Sequence, residues 1–161
     1  IILFNLLTLI FFHSHCYSYV SKPSLDTDIA ATFHDMAERI SRRGLVIVLS
    51  DLLDEPMQVV DGLRHFRHKG HEIVVFHILD PEEMKLNFHG ITRFKALENP
   101  NQSVTTHPRH IEREYSSMMA DLIDVYRRNC NENGIDYNHI ITTIPFDFAL
   151  SSYIAKRKKL Y

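Results

Sequence analysis

The 161-residue sequence has no tryptophan, two cysteines and five glycines. Cys16 and Cys130 exclude a disulfide framework; at most they form one bridge between distant segments, and a reducing compartment suits them better. So few glycines leave little backbone for phosphate cradles, and the chain contains neither a P-loop nor a G-x-G-x-x-G turn. No serine occupies a G-x-S-x-G elbow and Cys130 falls on a helix face, so nothing supports a catalytic triad. A surplus of charge is missing too. Eighteen Lys+Arg against twenty Asp+Glu give a formal charge of -2, which supplies no field able to grip a phosphate backbone and excludes nucleic acid as a default partner. With 45% hydrophobic and 24% charged residues the composition is that of a globular domain, which argues against disorder, collagen and a long coiled coil. The length suits one core. Histidine is the one surplus: eleven residues make the net charge sensitive to pH between about 5 and 7.

The N-terminus stands apart. The chain opens on Ile1 rather than methionine, which reads as a piece of a longer reading frame in preference to a processed product. The segment from Ile1 to Phe12 (IILFNLLTLIFF) is apolar apart from Asn5 and Thr8, yet shorter than the roughly 20 residues of a bilayer-spanning helix. It lacks the basic lead-in of a signal peptide. Three readings stand open: the end of a truncated membrane span, a remnant leader, or a buried core segment. Residues 1–25 are therefore treated as an unassigned hydrophobic segment and 26–161 as the folded portion, with a cytoplasmic location and membrane association only through residues 1–12 or a missing upstream region.

From Asp26 onward helical and strand patterns alternate. Ile29, Phe33, Met36, Ala37 and Ile40 form one helical stripe, which Asp26 to Asp28 are placed to cap. Leu45 to Leu49 (LVIVL) is a β-branched run without polar alternation, the pattern of a parallel strand covered on both faces. Asp54, Glu55 and Pro56 start a helix whose stripe Val59, Val60, Leu63 and Phe66 stops at Gly70. Ile73 to Ile78 is a second buried strand. Leu86, Phe88, Ile91, Phe94 and Leu97 around His89-Gly90 predict a short antiparallel hairpin inserted at a sheet edge. The stripe Ile111, Tyr115, Met118, Leu122, Ile123, Tyr126 and Cys130 predicts the longest helix, ended by Asn133-Gly134. Tyr137 to Thr142 reads as a third parallel strand. Asp147 opens a last helix with Leu150, Tyr153 and Ile154 inward, before the basic run Lys156 to Lys159. No internal repeat occurs. The predicted class is α/β: a partial, doubly wound, mostly parallel sheet of Rossmann type with right-handed crossovers and an inserted hairpin. Three parallel strands are few for such a sheet, so part of it is expected to be missing.

In open α/β sheets ligands meet the carboxyl ends of the strands, where Ser50, Asp51 and Asp54 fall. A carboxylate there holds a hard cation, accepts a phosphoryl group, or acts as nucleophile or base. The plainer reading is that Asp51 satisfies loop amides and Asp54 caps the next helix. His65, His68 and His71 recur at spacing three, so the first two share a helical face and offer imidazoles to Zn²⁺ or Ni²⁺; a solvated helix C-terminus, where cations are favoured, is the plainer alternative. His13, His15 and Cys16 have ligand chemistry without an evident fourth partner. The basic tail reads as a solvated end or as a contact for acidic lipid or protein.

The segment Arg43-Gly44-Leu45-Val46-Ile47-Val48-Leu49-Ser50-Asp51-Leu52-Leu53-Asp54 resembles the strand and loop of the bacterial domain-of-unknown-function family 58, whose core resembles a von Willebrand factor A domain. The stretch Leu63 to Glu83, with Asp80-Pro81-Glu82-Glu83, is similar to the family's next helix, strand and D-P-x-E turn. Thr92-Arg93-Phe94, Leu97-Glu98, the helix bearing Tyr115, Gly134 to Tyr137 and Leu150 to Arg157 match in order, so the resemblance covers about residues 26 to 158. It implies a metal-ion-dependent adhesion site in which Thr27 matches the family's threonine and Asp51 its aspartate. The D-x-S-x-S element that completes such a site is absent. One hydroxyl and one carboxylate fall short of the roughly six oxygens a hard cation takes, so at best weak Mg²⁺ binding is expected.

The leading expectation is a non-enzymatic interaction module that docks a protein over the strand ends through Ser50, Asp51 and Asp54. The resemblance implies that the partner is a MoxR-type AAA+ ATPase, the pair acting chaperone-like in the maturation of other proteins. The alternatives are a phosphoryl-transfer enzyme or phosphoacceptor domain using Asp51, and a truncated product without independent function. The spacing disfavours the enzyme. A phosphatase of the haloacid-dehalogenase type wants its second aspartate two residues after the first, and here it is Asp54, three residues on.

Overall fold

The computed structural model describes residues 7–12, 16–20, 29–86, 88, 90–95 and 103–158. Its centre is a parallel trio, β3 (Leu45–Ser50), β4 (Glu72–Leu79) and β7 (Asp136–Ile141). Val48 lies beside Val75, and Val75 beside Tyr137. The connections run through α2 (Pro56–His68) and α4 (Pro108–Glu132), while α1 (Ile29–Arg39) leads into β3. Helices α1, α2 and α4 share one core with Val46, Val48, Ile73 and Val75 on one face of the sheet. On the other face α5 (Phe146–Lys158) brings Tyr153 against Val74 and Phe76. Helices on both faces of parallel strands make the α/β, doubly wound class that the alternating patterns predicted.

The sheet is wider than those patterns implied. β1 (Leu7–Phe12) pairs antiparallel with β3, and β2 (Cys16–Val20) pairs antiparallel with β1, giving a five-stranded order β2-β1-β3-β4-β7. The three predicted parallel strands are thus joined by two antiparallel ones: the apolar run near the N-terminus supplies the strand beside β3. A six-residue segment rich in Leu, Ile and Phe suits a strand in register with Leu45 to Ser50 and is far too short for a membrane helix. Among the described residues no helix is long and apolar enough to cross a membrane.

The inserted hairpin is present but displaced. β5 (Thr92–Lys95) pairs antiparallel with β6 (Ser103–Thr106) as a separate two-stranded sheet, so both strands follow His89-Gly90 rather than flanking it, and among the described residues neither pairs with the main sheet's edge. His89 and Leu97 lie outside the described residues. Between β4 and the hairpin sits α3 (Pro81–Met84), one turn built on the D-P-x-E sequence as a capping box. Ile111, Met118 and Ile154, expected inward, are exposed, and Met119 takes the buried position on α4 instead.

Packing of α1 on α2 is tight. Phe33 and Phe66, both fully buried, meet edge to face with ring centroids 6.1 Å apart. Gly62 makes this possible, since a Cβ there would stand 2.8 Å from Phe33 Cβ. The chain leaves α2 through Gly70, whose φ of +85° is a left-handed conformation costly for other residues.

Candidate functional site

Because β3, β4 and β7 are parallel, their carboxyl ends converge on one side of the sheet. Ser50, His77 and His139 form a row there, in register across the three strands. His77 is fully buried: its Nδ1 lies 2.6 Å from Tyr137 Oη, and its Nε2 2.7 Å from the Asp51 carbonyl oxygen. A carbonyl only accepts, so Nε2 carries the proton and the Tyr137 hydroxyl donates to Nδ1. Burial, with His139 alongside, pushes the His77 imidazole down to about 4, and it stays neutral at ordinary pH. Tyr126, stacked near-parallel on Tyr137, donates to the Leu52 carbonyl at 3.0 Å. The β3–α2 loop therefore rests on a row of polar aromatic side chains.

That loop is strained. Leu52 adopts φ +48°, the only positive φ among the described non-glycine residues, with its side chain fully buried. The Ser50 hydroxyl accepts from the Leu52 amide at 3.1 Å. The bend leaves the Asp51 carboxylate facing inward, 5% exposed, with neither oxygen hydrogen-bonded. Desolvation pushes this carboxyl up to about 6. The nearby Glu83 charge acts in the same direction, and the Leu53 amide and Ser50 hydroxyl only partly oppose it. The Leu53 amide and the Ser50 hydroxyl thus lie near the carboxylate, as the plainer expectation of a loop-amide partner has it, but outside hydrogen-bond geometry.

Asp54 has a different task. Its Oδ2 accepts from the Ile29 amide at 3.1 Å and its Oδ1 from the Glu55 amide at 2.7 Å. It caps α1, a helix 25 positions earlier in the chain, and not α2 as local spacing implied. α2 itself begins with Pro56 at its first position and no side-chain cap. Thr27 lies outside the described residues, as do His13, His15 and Lys159.

Beside Asp51 the ends of β4 and β7 are pinned together. The Thr142 hydroxyl donates to Asp80 Oδ2 at 2.8 Å, and the Asp80 amide donates to Glu83 Oε2 at 2.7 Å. Glu83 is buried, and that burial raises its carboxyl. The β3–α2 loop, the start of α2 and the segment after β7 expose apolar side chains: Leu53 is 39%, Met57 50% and Ile144 42% exposed. Sequence reasoning found Ser50, Asp51 and Asp54 but missed His77, Tyr126 and Tyr137, which join the loop only through contacts 26 to 74 positions apart. The Ile73 to Ile78 run held one signal, since His77 is the sole polar residue in it.

Among the described residues no group of three or more His, Cys, Asp or Glu side chains is arranged to hold a metal ion. Among the described buried carboxylates Asp51 is the one with both oxygens unengaged, and it does not make a resident site by itself. Cys130 is free and buried against the α4 core, its thiol pushed up to about 12 by desolvation, which leaves it inert as a nucleophile.

No curated protein and no solved structure matches the chain. The family model described as "Protein of unknown function DUF58" matches residues 5–122, a stretch that starts ahead of β1, includes Ser50, Asp51 and Asp54, and ends within α4. That stretch is well over half of the 161 residues, so the chain belongs to the DUF58 family.

Proposed function

We propose that the chain is a non-enzymatic protein-interaction module that docks a partner across the carboxyl ends of β3, β4 and β7. The observation that carries this reading is the Asp51 carboxylate, buried without a hydrogen bond. Leaving such a group unpaired costs stability, and an interface that brings it a cation repays that cost. The exposed Leu53, Met57 and Ile144, on the segments that follow β3 and β7, supply the apolar contact area that docking surfaces use. The cation in this proposal is Mg²⁺ shared with a carboxylate of the partner, Asp51 giving one inner ligand, with Thr27 as the second candidate on this chain. The partner proposed from the family resemblance is a MoxR-type AAA+ ATPase, the pair acting chaperone-like in the maturation of other proteins.

The test is calorimetric titration of the chain with the purified ATPase, with Mg²⁺ and with EDTA. The reading expects Asp51→Asn or EDTA to weaken binding at least tenfold, and the affinity of the wild type to fall as pH drops below about 6, where the carboxyl protonates. Equal affinity with and without EDTA overturns the metal-bridged form. A phosphoryl-transfer role makes the same demand of access, because a nucleophilic carboxylate must reach phosphorus as a ligand must reach its ion, and it differs in leaving a covalent product. A covalent adduct at Asp51 after incubation with acetyl phosphate would replace the docking reading by that one.

A further inference from the structure

Toward the end of α2 remote from the β3–α2 loop, the seam between α1 and α2 carries histidines that the docking reading leaves unused. Phe33 and Phe66 lock the two helices together in the core. Each has a histidine as its chain neighbour, His34 and His65, and the two rings come together at the surface with centroids 5.1 Å apart. Their Nδ1 atoms face each other at 3.0 Å. On the far side of the His65 ring, Nε2 lies 2.8 Å from Glu38 Oε1. Glu38 is held in turn by Lys69 Nζ, 2.8 Å from its other oxygen. This chain of contacts fixes the tautomer. His65 donates its Nε2–H to the carboxylate, so its Nδ1 carries a lone pair on the side of His34, and the only proton between the two Nδ1 atoms is the one His34 brings.

A carboxylate behind an imidazole is the arrangement that orients metal-ligating histidines and raises their basicity. Two imidazole nitrogens bound to one ion at about 2.0–2.1 Å stand roughly 3 Å apart when adjacent in its coordination shell, the spacing already present here. We propose that His34 and His65 form a two-imidazole site for a divalent transition-metal ion of the Ni²⁺ or Cu²⁺ class, with Glu38 as the positioning carboxylate and water in the remaining positions. Binding moves the proton between the two Nδ1 atoms to Nε2 of His34, so each neutral ring keeps one N–H, on Nε2, and both Nδ1 lone pairs are given to the ion. Nitrogen ligands and open positions favour Cu²⁺ over Ni²⁺ and Ni²⁺ over the earlier divalent ions. The site uses His65 of the His65, His68, His71 series, and its second ligand comes from the other helix. His71 is instead buried beyond the end of α2, where its Nδ1 accepts from the Gly44 amide at 3.2 Å.

Isothermal titration of the full chain with Ni²⁺ at pH 7.5 tests the proposal, with Cu²⁺ followed by electron paramagnetic resonance for the number of bound nitrogens. The expected result is one equivalent of Ni²⁺, weakened at least tenfold by His34→Asn and by His65→Asn, and several-fold by Glu38→Gln. The resonance spectrum should show two equivalent nitrogens that fall to one in either histidine variant. His107 and His110 also hold their rings 5.3 Å apart, and their double asparagine variant is expected to keep the full affinity. Circular dichroism confirms that each variant is folded. Binding that survives in both His34→Asn and His65→Asn, binding lost with the His107/His110 pair, or no saturable binding would each overturn the site and leave the seam as a plain hydrogen-bonded pair.

Discussion

The two faces of the sheet are built from the same β-branched strands and end differently. Under α1, α2 and α4 the inward residues Val46, Val48 and Val75 are sealed with Phe33, Phe66 and Tyr126. On the other face Leu45, Ile47, Leu49, Ile78 and Ile140 stay partly accessible around Val74, Phe76 and Tyr153. The sealed face also carries the polar row Ser50, His77 and His139 at its carboxyl end. Polar groups are tolerated there because they sit at the edge of a well-packed core, where loop carbonyls and tyrosine hydroxyls are close enough to engage them. The lesson is positional: the best-packed face ends in the site with the most perturbed ionisable groups.

The largest effect should come from breaking the sealed face. Phe33→Ala is expected to cost about 3–5 kcal/mol, the range for truncating a buried aromatic, as a drop in urea midpoint. Next is acid. His77 is held down to about 4 from an ordinary value of 6.5, so the folded state binds fewer protons than the unfolded one between those limits. Its contribution is complete above pH 6.5 and is lost as pH falls toward 4, about 3 kcal/mol in all. Asp51 runs the other way. Its folded value is raised to about 6, so its cost is present above pH 6 and disappears as pH falls toward 3.8. Asp51→Asn is therefore expected to gain up to about 2 kcal/mol at pH 8, allowing for residual screening, and to steepen the loss of stability in acid. Denaturation midpoints of both proteins at pH 8, 6 and 4 check the pair of signs, and parallel curves would refute the assignment. Removing the hydroxyl in Tyr126→Phe should cost about 1–2 kcal/mol by orphaning the Leu52 carbonyl, with amide exchange in the β3–α2 loop rising most. The smallest effect belongs to the open face, where Ile47→Ala is expected to cost about 1 kcal/mol because little cavity forms beside an accessible side chain. A loss as large as that of Phe33→Ala would mean the two faces are equally sealed.

The same contrast explains what the sequence disclosed. β3, β4, β7, α1, α2 and α4 were legible because each carries its own periodicity, and the Pro56 start, the Gly70 stop and the Asn133-Gly134 end are local signals. β1 was ambiguous because an apolar run without alternation fits a strand, a leader or a broken membrane helix equally well until its partner is known, and that partner, β3, lies more than thirty residues away. Ser50 and Asp51 were found from the rule that sites cluster at strand ends. The inward turn of Asp51 was not, since it depends on the positive φ of Leu52, a residue with no intrinsic liking for it. Asp54 looked like a cap for the helix that follows. Its long bond joins the start of α1, an arrangement that only the tertiary fold creates.

Gly62 sets a dimension of the molecule by what it omits. The missing Cβ would lie 2.8 Å from Phe33 Cβ and 3.4 Å from the Ala30 carbonyl oxygen, so the separation of the first two helices is calibrated by one absent methyl group. One turn further along α2 that calibration is displayed at the surface, as the gap between two imidazoles. Gly62→Ala would act as a shim slipped under α1, and the contact between His34 and His65 would be the gauge on which its thickness is read.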